Sequence, residues 1–86
     1  MAHLHPRDWI VSLPAGFDDY SSFRNMRMIA KMELDELDRI RGEIVAQQGE
    51  QTAIDEWDSV FADDTQRCRE AIAMIDQKIA TIGGRA

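Results

Sequence analysis

Apolar residues recur along most of this chain at three- and four-residue intervals. The first series is Phe23, Met26, Ala30, Leu34, Leu37, Ile40 and Ile44, a spacing that lines one face of a helix. It predicts a helix over about 21–48. Asp18, Asp19 or Ser21 can cap its start with a side-chain oxygen, and Gly49 can stop it by taking a left-handed conformation. At 1.5 Å per residue such a helix is ~42 Å long. The second series is Ile54, Trp57, Phe61, Cys68, Ile72, Ile75, Ile79 and Ile82, predicting a helix over about 52–82. Thr52 with Asp55 resembles a capping box at its start, and Gly83-Gly84 ends it. The phase runs unbroken through Asp63-Asp64-Thr65, which favours one helix over a break capped by Asp63 or Asp64.

The first seventeen residues lack this period. They hold both prolines, Pro6 and Pro14, together with Gly16 and the apolar run Trp9-Ile10-Val11-Ser12-Leu13. Proline fixes φ and has no N–H to donate, so an extended or irregular arm is expected over 1–17. With no second strand-like segment to pair with, the apolar run is expected to lie against a helix. Residues 18–86 then form the helical part. Two or three residues join the helices, so they should fold back as an antiparallel two-helix hairpin. Two helices cannot enclose a core, and no disulfide or metal motif is apparent. The expected fold class is therefore all-α: a hairpin with an extended arm, dimerising into a four-helix bundle.

Composition narrows the function. The 86 residues are 44% hydrophobic and 30% charged, with a net charge of −6. That balance is too apolar for a disordered chain, and the acidic charge argues against a general nucleic-acid binder, which carries a basic stripe. The lone cysteine excludes an internal disulfide and fits a reducing compartment. No targeting segment or membrane span is visible, and the expected location is cytoplasmic. The acids are not spread evenly. Between Arg41 and Arg67 there is no Lys or Arg, while Glu43, Glu50, Asp55, Glu56, Asp58, Asp63 and Asp64 fall in that interval. On a hairpin they gather at the turn. Trp57 lies among them and is a candidate aromatic anchor.

Met28 and Met32 sit four apart, roughly opposite the main stripe of the first helix. They either receive the arm or offer an adaptable surface to a partner. Within the apolar faces, Glu33 and Asp64 are expected to form edge ion pairs with Arg67 and Arg41. His3 and His5 read as a solvated terminus, and Cys68 as an ordinary buried thiol, since a nucleophilic pair would require it to meet an arm histidine. No phosphate loop and no Glu-x-x-His bundle site is present. Catalytic residues, metal ligands and cofactors are thus not assigned. The expected function is a small non-enzymatic interaction module, a regulator, adaptor or inhibitor of a larger protein with a basic patch. Candidate contacts are Glu50, Asp55, Glu56, Trp57, Asp58, Asp63 and Asp64 at the tip, with Met28 and Met32. The alternatives are a structural subunit of a larger assembly, or an acidic nucleic-acid mimic that blocks a nucleic-acid-binding protein.

Overall fold

The long periodic stripes become long helices. A computed structural model describes residues 4–83, and the secondary structure of these residues is entirely helical. Helix α1 spans Pro6–Ser12, α2 Tyr20–Gln48, α3 Glu50–Thr52 and α4 Asp58–Gly83. A π-helical turn over Ala53–Trp57 joins α3 to α4. Gly84 and His3 lie outside the described residues.

Asp19 starts α2: its carboxylate accepts from the Ser21 N–H at 3.2 Å and from the Ser22 hydroxyl at 2.8 Å. Gly49 ends it at φ +93° and ψ 156°, a conformation essentially reserved for glycine. Its N–H donates to the Val45 carbonyl at 2.9 Å. The chain turns back on this one residue, because Glu50 is already helical. Thr52 is therefore no cap. It sits inside the helix at φ −63° and ψ −40° and makes no side-chain cap bond. The wide π turn also alters the second stripe: Ala53 is buried, while Ile54 is 47% exposed. No break occurs at Asp63-Asp64, through which α4 runs continuously.

The helices α2 and α4 pack along one another. Two cross-links fix their relative direction, Arg27 to Asp76 at 2.6 Å and Arg41 to Asp58 at 2.7 Å. The result is a rod with extents of 50 × 27 × 18 Å.

The arm corrects the expectation of an extended segment. Residues Pro6–Ser12 are helical, with Pro6 at the first helical position. There its missing N–H costs nothing and its fixed φ suits the helix. His5 supplies the cap, its Nδ1 accepting from the Arg7 N–H at 3.0 Å. After α1, the Pro14–Phe17 turn closes with a Phe17 N–H to Pro14 carbonyl bond of 3.2 Å, and Gly16 takes φ +87° within it. Positive φ at that third position is what a type II turn asks of glycine.

The core sits at the arm end of the rod. Ile10, Phe23 and Ile75 are buried there, surrounded by Trp9, Leu13, Phe17, Met26, Met74, Ile79 and Ile82. Trp9, Phe17 and Phe23 meet edge to face, with centroids 5.6–6.1 Å apart. Arg7 to Glu70 at 2.9 Å and Arg67 to Asp8 at 2.7 Å clip α1 onto α4. Beyond the arm no third layer of described residues covers the helices. Leu37, Ile40, Ile44, Trp57 and Phe61 are accordingly only half-buried.

Candidate functional site

Two regions combine chemistry with exposure. The first is where the arm crosses both long helices. Capping α1 with His5 turns its imidazole inward, leaving the side chain 15% exposed. Its Nε2 lies 3.2 Å from Glu33 Oε2 on α2 and 3.7 Å from Cys68 Sγ on α4. The Cys68 thiol donates to the same Glu33 oxygen at 3.3 Å. Three side chains, each from a different element, thus converge on one point. Because Nδ1 accepts from Arg7, a neutral His5 carries its proton on Nε2 and donates to Glu33. Leu4, Pro6 and Ile29 line a shallow pocket beside His5 and Glu33.

This cluster corrects three expectations. His5 is part of the packed molecule and not a solvated end. Glu33 pairs with His5, while Arg67 is engaged by Asp8. Cys68 does meet an arm histidine, although the geometry does not activate it. Cys68 is fully buried, and burial pushes its thiol up to about 12, with the hydrogen bond to Glu33 and that carboxylate's charge adding to the effect. A nucleophilic cysteine needs the opposite, a lowered pKa and a base to take its proton. Here the proton is held against a carboxylate that His5 already occupies. Sequence reasoning missed the site, yet a signal existed. In an antiparallel pair turning near residue 50, opposed positions sum to about 100, which sets Glu33 against Cys68 as well as Arg67. A cap-forming His directly before Pro is the matching signal for the arm.

The second region is the tip. Arg41 holds Asp58 through two bonds of 2.7 and 3.2 Å, leaving Asp64 without the expected Arg41 pair. Those bonds draw the Asp58 carboxyl below its usual range and raise the Arg41 guanidinium. Arg39 bridges Glu36 and Glu43 along α2, the second at 2.7 Å. Among the described residues Glu50, Asp55, Glu56, Asp63 and Asp64 join no ion pair, and all are exposed. Asp55 accepts a hydrogen bond from Gln51 at 2.9 Å. Trp57 is half-buried and stacks on Phe61 at 6.2 Å; its indole Nε1 is shielded from solvent and has no hydrogen-bond partner among the described residues. Ile54 and Val60 stand exposed among these acids.

Met28 and Met32 are 56% and 63% exposed, and Ile29 beside them 49%. Among the described residues of the arm, Trp9, Ile10 and Leu13 pack into the Phe23–Ile75 core and leave both methionines exposed. They are also far from the tip: Met32 and Glu50 are separated by roughly 27 Å of helix. The sequence-derived contacts therefore form two surfaces, not one. Among the described residues no helix is long and apolar enough to cross a membrane. Comparison with protein-family models, curated proteins and solved structures returned no match.

Proposed function

We propose that this protein is a non-enzymatic interaction module that docks its acidic tip against a basic patch on another protein. One observation carries the reading: Ile54 is exposed at the end of the rod among the exposed carboxylates of Glu50, Asp55 and Glu56. An apolar contact rimmed by like charge suits a partner of opposite charge, because the charges steer encounter and the apolar centre holds the complex. Arg41 neutralises Asp58, whereas Asp55 and Glu56, like Glu50, join no ion pair among the described residues and are free to engage. In this reading the antiparallel hairpin pairs with a second copy into a four-helix bundle, in a reducing cytoplasm. The uncovered faces beyond the arm support that pairing, since half-buried Leu37, Ile40, Ile44 and Phe61 lack a third layer.

The test is partner capture from the source cell by the wild-type chain and by Asp55→Lys/Glu56→Lys, at low and high salt. A steered acidic contact loses its partner in the variant and weakens as salt screens the charges. A complex indifferent to both changes removes the tip from the reading and favours a structural subunit held by apolar contact. Direct competition by DNA for the captured protein identifies nucleic-acid mimicry instead.

A further inference from the structure

We propose that His5, Glu33 and Cys68 form a three-ligand binding site for a zinc ion, which would fasten the arm to both long helices. A tetrahedral zinc ion bonds nitrogen and oxygen at about 2.0–2.1 Å and sulfur at about 2.3 Å. Its ligands are therefore spaced about 3.3 Å apart for N and O, and about 3.5–3.6 Å apart for pairs with sulfur. Nε2 and Oε2 are 3.2 Å apart here, Sγ and Oε2 3.3 Å, and Sγ and Nε2 3.7 Å. The three atoms thus already outline one face of that tetrahedron, and a small movement seats an ion.

Donor chemistry narrows the metal. Imidazole, thiolate and carboxylate together suit zinc, whereas magnesium and calcium prefer oxygen throughout. The thiolate and Glu33 carry two negative charges, which balance the ion. Glu33, with a side chain 43% exposed, leaves a way in from solvent and room for water as the fourth ligand. Leu4, Pro6 and Ile29 wall one side with apolar groups.

The proton balance is definite. Binding forms the Zn–S, Zn–Nε2 and Zn–O bonds. The Cys68 thiol proton leaves for solvent, because a coordinated thiol is deprotonated. The imidazole stays neutral by losing its Nε2 proton and gaining one at Nδ1. That ends the acceptance from the Arg7 N–H, so one cap bond is exchanged for three metal bonds. One proton is released per zinc. Folding and metal binding become linked, since these ligands are 28 and 35 residues apart in the chain and meet only when α1 docks.

The test uses the reduced full chain free of any oligohistidine tag, titrated with Co²⁺ and then Zn²⁺. The expected result is one Co²⁺ per chain, with tetrahedral visible bands and a thiolate-to-cobalt charge-transfer band, displaced by Zn²⁺. Cys68→Ser removes the charge-transfer band. Glu33→Gln and His5→Gln each weaken binding about tenfold or more, while His3→Gln leaves it unchanged. The wild-type spectrum decides the matter without any variant having to fold. Stoichiometric cobalt with no thiolate band overturns the proposal. So does binding that survives Cys68→Ser and His5→Gln but falls with His3→Gln. Neither result touches the proposed role of the tip, which makes no use of these residues.

Discussion

Replacing Phe23 with alanine separates the two ends of the rod energetically. Phe23 is fully buried and meets both Trp9 and Phe17 edge to face. Truncating a buried phenylalanine costs about 3–5 kcal/mol, and the lost aromatic contacts place this site toward the upper part of that range. At about 0.05–0.15 kcal/mol per residue, a chain of this length has roughly 4–13 kcal/mol of total stability. Phe23→Ala therefore removes a third of it or more. Phe61→Ala is the control. Phe61 is half-buried and stacks on Trp57 near the tip, so burial arithmetic gives about 1–2 kcal/mol. Urea unfolding followed by far-ultraviolet circular dichroism, at one fixed protein concentration, measures both. With a slope of about 1–3 kcal/mol per molar urea, the midpoint should fall at least twice as far for Phe23→Ala as for Phe61→Ala. An equal or larger fall for Phe61→Ala would refute a core concentrated at the arm end.

Further outcomes follow from single residues. Gly49→Ala forces a Cβ into φ +93° and ψ 156° and should destabilise by about 1–3 kcal/mol; an unchanged thermal midpoint would show that the turn rearranges freely. His5→Ala removes the α1 cap, worth about 1 kcal/mol, and exposes Cys68. Thiol labelling at pH 8, slow in the wild type, should therefore accelerate, and an unchanged rate would mean that the arm does not shield the sulfur. Asp58 and Glu70 are drawn below their ordinary values of 3.8 and 4.5 by Arg41 and Arg7 respectively. Their contribution is present above those ordinary values and is lost as pH falls through the lower folded-state ones. Asp58→Asn should flatten the acid limb of the stability–pH curve. Cys68 acts at the other limb: its pKa rises from 9.0 to about 12, so its share is full below pH 9.0 and is lost as pH climbs toward 12. Cys68→Ala should remove that alkaline decline.

The long helices were legible because their stripes are long. Asp19 and Gly49 punctuate α2 where side-chain capping and left-handed glycine chemistry require. The helical arm is hidden from the sequence pattern when proline counts only as a breaker. At the first helical position behind His5 it starts a helix instead. Thr52 and Ile54 were misread for a related reason: the one-residue turn at Gly49 restarts the helix earlier, and the π turn alters which side chains face α2. The cluster of His5, Glu33 and Cys68 was not legible from local pattern, since it depends on where a short helix docks across two long ones. The acidity of the tip, by contrast, is written in the absence of Lys and Arg between Arg41 and Arg67. Only the structure divides those acids into Asp58 and Glu43, held by arginines, and the exposed group around Ile54.

The salt dependence of partner affinity decides whether the exposed acids around Ile54 are a docking surface. The protein captured by the wild-type chain is titrated against wild type and Asp55→Lys/Glu56→Lys at rising ionic strength. Wild-type affinity should fall steeply with salt, the variant should bind at least about tenfold more weakly at low salt, and the two curves should converge once the Debye length nears ~3 Å at 1 M. Parallel curves of equal affinity, with both proteins folded, would contradict a docking role for these acids.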